Sequence, residues 1–281
     1  MDLNKLSSVL IVAELSANHN GSLETAIETI KAAKRAGADA IKLQTYTADT
    51  MTLNISSDDF LISDSKSLWN GRNLYELYEE AHTPWEWHER LFSHVKKLGM
   101  IPFSSPFDKT SVDFLESLGV PCYKVASFEC TDLPLVGHIA SKGKPMIIST
   151  GMASVAEIDE TVRTAKENGC DDIILLKCTS TYPANPNNSN ILTIPHLRKL
   201  FDCEIGLSDH TMGLGVSVAS VALGATVIEK HFTNKRSDGG VDSAFSMEPN
   251  ELKSLVVETE RAHQALGKIN YGPLNDEVKS L

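Results

Sequence analysis

Two histidines, His210 and His231, are the residues best suited to hold a metal ion. His210 closes the run Ser-Asp-His and His231 closes the run Glu-Lys-His, so each has a carboxylate nearby in the sequence. Neutral imidazoles beside carboxylates suit a borderline divalent ion such as Mn²⁺, with Mg²⁺ or Co²⁺ as alternatives and water completing the shell. Two histidines without a third ligand are a weak signature, so a pair of merely hydrogen-bonded polar residues remains open.

Two lysines, Lys42 and Lys124, lie within apolar segments, where an unpaired ammonium group is costly. A phosphate or a carboxylate would compensate that charge. Two other interpretations stay open: each lysine pairs with a glutamate across the fold, or one of them forms a Schiff base with a carbonyl substrate. Polar residues that can complete an anion site also follow apolar segments, namely Gln44, Ser105, Ser127, Ser149, Ser180 and Ser208.

Two glutamates, Glu14 and Glu129, stand at the ends of further apolar segments. Either carboxylate can move a proton or orient a water molecule. The alternative is a structural role, as the ion-pair partner of Lys42 or Lys124. Anion binding joined to proton transfer is therefore the predicted chemistry, provided that the fold brings these groups together.

The candidate residues recur at the ends of short β-branched runs that alternate with amphipathic segments along the chain. The strand candidates are Leu10–Ser16, Ala40–Tyr46, Met100–Ser105, Cys122–Ser127, Pro145–Gly151, Ile173–Thr179, Glu204–Ser208 and Thr226–Phe232. The helix candidates are Leu23–Ala36, Trp85–Leu98, Thr110–Leu118, Pro134–Ser141, Val155–Asn168, Ile194–Phe201, Gly213–Leu223 and Glu248–Leu266. Asp108 and Ser154 are predicted N-caps of two of these helices.

Eight strand–helix units whose strands are apolar on both faces predict a closed (β/α)8 barrel, a TIM barrel, formed by residues 1–281 as a single domain. No Gly-x-Gly-x-x-Gly follows the first strand, so nothing indicates an open dinucleotide-binding sheet. Reacting groups in such barrels lie at the carboxyl ends of the strands, so the candidate residues are expected to meet at one mouth. The long connection 47–84 is expected to be a lid or a wall of the substrate site.

The composition of the 281-residue chain restricts its partners. A formal net charge of −11 disfavours nucleic acid and anionic lipid, although a few lysines can still form a local positive pocket. No apolar stretch reaches the roughly 18 residues of a membrane span, and the N-terminus lacks the features of a signal peptide. The five cysteines contain no Cys-x-x-Cys pair, which predicts reduced thiols and a cytoplasmic location.

Segments across nearly the whole chain resemble, in order, the sialic acid synthase family: AELSANHNGS, IKLQTYT, TPWEWH, SSPFDKTSVDFLE, YKVASFE, ISTGMAS, LKCTSTYPA, GLSDHT and IEKHFT. The resemblance is greater to the members that make pseudaminic acid, because of AELSANHNGS, DDFLI, TPWEWH and RSDGGVDSAFSMEP. It implies an enzyme that condenses phosphoenolpyruvate with an acetamido-deoxy sugar (2,4-diacetamido-2,4,6-trideoxy-L-altrose) and water, giving pseudaminic acid and phosphate. A divalent ion, Mn²⁺ or similar, and a homodimer are implied as well.

The family's motifs assign roles to individual positions. The positions that match the metal ligands are His210 and His231. Those that match or line the phosphoenolpyruvate pocket are Lys42, Gln44, Lys124, Ser127, Ser149 and Ser208. The active-site carboxylates match Glu14 and Glu129, and the sugar side matches Tyr182 and Asp242. Ser180 stands where neuraminate synthases have an asparagine, and this departure weakens its assignment as a phosphate contact.

In the family, a small antifreeze-like domain follows the barrel and supplies an arginine to the partner's sugar pocket. This chain ends at Leu281, where that domain would begin, so its absence and an incomplete acceptor site are expected. Three alternatives stay open. They are a related synthase that makes neuraminic or legionaminic acid, a Schiff-base aldolase, and a barrel that binds phosphoenolpyruvate without turnover.

Overall fold

Eight parallel strands close into a barrel in chain order, and β8 pairs with β1. The computed structural model describes residues 8–65, 67–274 and 276–280, so residues 1–7, 66, 275 and 281 of the expected domain lie outside it. The strands are β1 (Leu10–Glu14), β2 (Ala40–Thr45), β3 (Ile101–Pro106), β4 (Tyr123–Val125), β5 (Met146–Ser149), β6 (Ile173–Cys178), β7 (Glu204–Ser208) and β8 (Val227–His231). The predicted (β/α)8 barrel is confirmed, and the strand ends differ from prediction by one or two residues at most.

Helices surround the barrel, and all eight predicted helices are present. They are α1 (Leu23–Ala36), α4 (His88–Lys97), α5 (Lys109–Ser117), α6 (Leu133–Ala140), α7 (Val155–Glu167), α8 (Thr193–Phe201), α9 (Gly215–Ala222) and α10 (Pro249–Ala265). The Asp108 side chain accepts from the Ser111 N–H, and the Ser154 side chain accepts from the Glu157 N–H. Both predicted N-caps are therefore confirmed.

The connection between β2 and β3 contains helices where the sequence predicted none. Its described residues include two α-helices, α2 (Ala48–Met51) and α3 (Leu74–Ala81). Asn73 caps α3 by accepting from the N–H groups of Tyr75 and Glu76, and Leu77 and Ala81 are buried on one face of that helix. The sequence signal for α3 was therefore the cap residue Asn73 followed by apolar residues at helical spacing, and the many polar residues of the segment obscured it.

The interior of the barrel has an apolar floor and a polar upper layer. Side chains alternate between the inside and the outside of a strand, so the inward positions are two residues apart. The lower inward positions form one buried cluster of Leu10, Val12, Ala40, Phe103, Cys122, Ile147, Ile174, Leu176 and Val227. The next inward positions toward the carboxyl ends are Glu14, Lys42, Ser105, Lys124, Ser149, Ser208 and Glu229, all of which are buried. The strands therefore carry the polar candidates to one mouth.

Gly206 in β7 is required by the close packing inside the floor. A Cβ atom at this position would lie 2.4 Å from the Val227 carbonyl oxygen and 2.6 Å from Leu176 Cδ2. A backbone oxygen of a neighbouring strand cannot move aside without disturbing the barrel. Only glycine fits there.

No helix among the described residues is long and apolar enough to cross a membrane. All five cysteines lie in the described ranges and are free thiols. Most of them are buried against strands or helices, as Cys122 and Cys130 are.

Candidate active site at the mouth of the barrel

Lys42 lies between two buried carboxylates at the carboxyl end of the barrel. Its Nζ atom forms an ion pair with Glu14 and lies 3.4 Å from Glu229 Oε1. The same Nζ atom donates to Ser105 Oγ at 3.4 Å. Burial lowers the pKa of Lys42, but Glu14 and Glu229 raise it by more, so the ammonium group keeps its charge. The glutamate pairing considered from the sequence is therefore present, on the same lysine that was expected to meet an anion.

Lys124 approaches the same carboxylate from the other side of the barrel. Its Nζ atom donates to Ser149 Oγ at 2.7 Å and to the Val125 carbonyl at 3.2 Å, and lies 3.8 Å from Glu229 Oε1. Ser208 Oγ donates to Glu229 Oε1 at 3.1 Å. Burial lowers the pKa of Lys124, whereas the two lysines overcome burial and lower the pKa of Glu229. Two ammonium groups thus share one central carboxylate.

The central cluster, defined as Glu14, Lys42, Lys124 and Glu229, holds two lysine and two glutamate side chains. Burial raises the pKa of Glu14 to about 7, with Lys42 opposing that rise. The buried Oε2 atom of Glu229 has no hydrogen-bond partner among the described residues. Buried polar atoms are normally satisfied, so an unsatisfied one at a site of perturbed pKa values favours a function over a purely structural role.

A second group of hydroxyls surrounds the backbone of Gly151, just after β5. The Gly151 N–H donates to Ser127 Oγ at 3.2 Å. A Cβ atom at Gly151 would lie 2.3 Å from Ser180 Oγ and 2.7 Å from Ser127 Oγ, so the absence of a side chain lets both hydroxyls approach. Cys178 Sγ lies 3.7 Å from Ser180 Oγ. Ser127 and Ser180, predicted from separate strands, are therefore neighbours.

The two histidines face each other at the ends of β7 and β8, with ring centroids 5.3 Å apart. His210 Nδ1 lies 2.9 Å from the Thr179 carbonyl, to which it donates, so Nε2 is the nitrogen that can face a metal ion. Among the described residues His231 Nδ1 is buried without a hydrogen-bond partner, and burial together with His210 holds the pKa of His231 well below its ordinary value. Burial lowers the pKa of His210, but Cys178 and the Thr179 carbonyl raise it by more. A divalent metal ion would therefore meet a neutral imidazole at His231 and would displace a proton at His210. The described residues contain no group of three or more side chains that could hold one, so water or substrate would complete the shell.

Three aromatic rings cover the histidine pair, and we call Trp69, Tyr182 and Phe245 the aromatic wall. The Tyr182 ring lies 4.4 Å from His210, and the Phe245 ring lies 4.9 Å from His231. Trp69, from the β2–β3 connection, lies 6.1 Å from Tyr182 and 6.4 Å from Phe245. Its Nε1–H donates to the Val241 carbonyl at 2.8 Å. The long connection thus reaches the mouth of the barrel, and it forms part of the wall there.

Asp242 links the loop after β8 to the end of β1. Ser16 donates its hydroxyl to Asp242 Oδ2 and its backbone N–H to Glu14 Oε1, the second at 3.0 Å. Ser16 has a left-handed φ of 46°, which L-residues adopt at a cost. Asp242 Oδ2 also lies 4.0 Å from His231 Nδ1, and burial raises the pKa of Asp242. The strained turn therefore orients two of the predicted carboxylates.

Gln44 and Glu129 complete the predicted set. Gln44 is half-buried on β2 and pairs with Ser105 of β3. It lies two residues after Lys42 and therefore on the same face of the strand. Glu129 follows β4, and its buried Oε2 atom has no hydrogen-bond partner among the described residues. Burial raises the pKa of Glu129 to about 7, with Lys124 and Lys42 opposing it weakly. A carboxyl group that titrates near neutral pH is suited to proton transfer.

Three residues of the site were not selected from the sequence: Glu229, Trp69 and Phe245. Glu229 had a usable signal, because it stands two residues before His231 and must share its face of the strand. Trp69 and Phe245 lie on connections, where no periodicity predicts the direction of a side chain. His19, by contrast, closes a turn, since its Nδ1 accepts from the Gly21 N–H.

Comparisons with known proteins identify the family to which the chain belongs. Residues 29–271 match the NeuB family. The pseudaminic acid synthase of Campylobacter jejuni subsp. jejuni is 48% identical over 266 residues, which cover 95% of this chain and 77% of that protein. The N,N'-diacetyllegionaminic acid synthase of the same organism is 37% identical over 265 residues, covering 93% of this chain and 78% of that protein.

Solved structures show the same architecture. The crystal structure of an N-acetylneuraminic acid synthetase from Leptospira borgpetersenii serovar Hardjo-bovis superposes with a TM-score of 0.86 at 32% identity. The match covers 98% of this chain and 90% of that one.

Proposed function

Because the chain belongs to the NeuB family, we propose that it is a pseudaminic acid synthase. It condenses phosphoenolpyruvate with 2,4-diacetamido-2,4,6-trideoxy-L-altrose and water, and the products are pseudaminic acid and phosphate. The observation that carries this proposal is the placement of two buried lysines opposite two facing histidines at one mouth of the barrel. Identity to a pseudaminic acid synthase of one organism exceeds identity to the legionaminic acid synthase of that organism, which favours this sugar.

The lysines and the surrounding hydroxyls hold phosphoenolpyruvate. Lys42 and Lys124 neutralise its phosphate and carboxylate, and Ser149, whose Oγ accepts from Lys124, keeps its own proton to donate to the substrate. Ser208 donates to Glu229 and lines the same pocket from a position fixed by its strand. Ser127 and Ser180 offer two more hydroxyls beside the Gly151 backbone. Fixed placement on rigid strands keeps C3 of phosphoenolpyruvate in register with the sugar aldehyde, and such positioning contributes a large part of the rate.

His210 and His231 would hold a divalent metal ion, with Mn²⁺ as the proposed ion. When bound there, the ion polarises the sugar aldehyde as a Lewis acid. The chain's own contribution is to orient His210 through the Thr179 carbonyl and to keep His231 neutral through burial.

The bonding changes conserve atoms and charge. C3 of phosphoenolpyruvate forms a bond to the aldehyde carbon, and the aldehyde oxygen takes up a proton to become a hydroxyl. Water adds to C2 and gives up one proton, and the new C2 hydroxyl gives up the other as the C–O bond to phosphate breaks and the product carbonyl forms. The two protons of water thus end on the sugar hydroxyl and on phosphate. Glu129 takes the proton of the attacking water, and its pKa of about 7 suits that role. Glu14 is the second candidate, because its pKa is also about 7. A homodimer working in the cytoplasm is the proposed state of the protein.

Phosphate release measured with phosphoenolpyruvate, Mn²⁺ and a panel of acceptors tests the proposal. We expect the diacetamido-trideoxy altrose to be turned over faster than N-acetylmannosamine or the legionaminic acid precursor, with the nonulosonic acid identified by mass spectrometry. Borohydride should trap no lysine adduct, which separates this reaction from a Schiff-base aldolase. Preference for another acceptor would reassign the product. Phosphoenolpyruvate binding by calorimetry, without release of phosphate from any acceptor, would reduce the protein to a binding barrel.

A further inference from the structure

We propose that Trp69 and Phe245, together with Tyr182, select an acceptor sugar whose terminal carbon is a methyl group. This inference rests on the proposed function, and it identifies the side chains that choose the substrate. The hydroxyl-bearing counterpart of the sugar would meet the same aromatic wall and bind more weakly.

The position of the wall relative to the histidine pair carries the argument. The aldehyde end of the sugar has to meet His210 and His231. Tyr182 and Phe245 pack on those imidazoles, and Trp69 lies one ring farther out, in contact with both of them. An open-chain sugar that extends away from the histidines therefore passes along the wall, and its far end comes closest to Trp69.

The chemistry of the wall favours a methyl group over a hydroxyl. The single polar atom of the Trp69 ring, Nε1, already donates to the Val241 carbonyl at 2.8 Å and is not free to serve a substrate hydroxyl. Phe245 offers no hydrogen-bonding group and is 3% exposed. A hydroxyl placed against the Trp69 and Phe245 rings loses its water without gaining a partner from them. Apolar pockets typically reject an added hydroxyl by about 100-fold.

The wall is also held in place, as selectivity requires. The Trp69–Val241 hydrogen bond ties the β2–β3 connection to the loop after β8, and the second loop carries Phe245 on the short turn Ser243–Phe245. Asn18 Nδ2 donates to the Phe232 carbonyl and to Ser246 Oγ, on either side of that loop. The rings therefore have defined positions before the sugar arrives.

A matched pair of acceptors tests the inference: the 6-deoxy altrose derivative and the same sugar with a 6-hydroxyl group. We expect kcat/KM for the unmodified protein to favour the deoxy sugar by about 10- to 100-fold. Trp69→Gln, which makes the wall polar, should reduce that ratio to below about 10-fold, and calorimetric affinities for the two sugars should change in parallel. Trp69→Phe keeps the apolar face without the hydrogen bond and should retain most of the preference.

Phosphoenolpyruvate affinity is the control, because Lys42 and Lys124 lie below the wall. It should be the same in both variants. A ratio near one in the unmodified protein, or an unchanged ratio in Trp69→Gln, would overturn the inference while leaving the proposed function standing. Failure of the unmodified protein to use either sugar would instead count against the proposed function.

Discussion

Replacing Glu229 with glutamine tests whether this carboxylate stabilises the two buried lysines of the central cluster. The carboxylate lies 3.4 Å from Lys42 Nζ and 3.8 Å from Lys124 Nζ. At these separations each attraction amounts to about 4–5 kcal/mol for an effective dielectric constant near 20, and desolvation offsets most of it. Removing one member of a buried ion pair typically costs about 3–5 kcal/mol, because the remaining charge is left uncompensated.

The expected result for Glu229→Gln is therefore a lower free energy of unfolding by about 3–5 kcal/mol, seen as a fall in melting temperature on the order of 10 °C. Inorganic phosphate should raise the melting temperature of the variant more than that of the unmodified protein, since the anion no longer competes with Glu229 for the lysines. Both proteins should be measured with a chelator present, so that the histidine pair is metal-free.

Glu28→Gln is the matched control, because Glu28 is exposed and pairs with Lys31 on the surface of α1 at 2.7 Å. Solvent screens such an exposed pair, so its loss should change stability little. If Glu229→Gln costs no more than this control and responds to phosphate in the same way, the central carboxylate does not hold the two lysines, and the reasoning is wrong.

Three further predictions concern the metal, the pH dependence and the floor of the barrel. His231→Ala should abolish metal-dependent phosphate release and weaken Mn²⁺ binding in calorimetry, whereas replacing the exposed His196 should change neither. Folding raises the pKa of Glu129 from 4.5 to about 7, so this group lowers stability as pH rises through that window. Glu129→Gln should be more stable than the unmodified protein between those pH values, and its kcat/KM should show no rise near pH 7. If the pH profiles of the two proteins run parallel, Glu129 is not the proton acceptor. Gly206→Ala should destabilise by about 1–3 kcal/mol or prevent folding, while Gly215→Ala, with nothing within 4 Å, should be neutral or stabilising in a denaturant titration.

The barrel and most of its polar mouth were predictable from the sequence. The alternation of strand and helix patterns predicts the barrel, and the position of a polar residue near the end of a strand predicts that it lies at the mouth. Lys42 and Lys124 stood out as charges inside apolar runs, and a residue on a buried parallel strand has only two faces to choose from. Once one residue of a strand is known to point inward, its neighbours two positions away must do so too. That rule accounts for Ser105, Ser149 and Ser208, and it would have added Glu229.

The parts that escaped prediction lie on connections or depend on distances. Trp69 belongs to a segment in which the helix α3 was also missed, because polar residues outnumber the buried Leu77 and Ala81. The sharing of one carboxylate by two lysines depends on contacts across the barrel, and no spacing along the chain encodes such contacts. The sequence analysis treated glutamate pairing and anion binding as alternatives for each lysine. In the structure Lys42 pairs with Glu14 and also contacts the Ser105 hydroxyl, which could bind an anion, so the two roles do not exclude each other.

The division between strands and connections separates the two halves of the proposed reaction. The groups proposed to bind the anionic substrate stand mainly on β2, β4, β5 and β7, which are hydrogen-bonded to neighbouring strands. The aromatic wall proposed to bind the sugar stands on the connecting segments around Trp69, Tyr182 and Phe245, outside the strands. Substitutions in these connecting segments can therefore change the sugar specificity without altering the proposed phosphoenolpyruvate site on the strands.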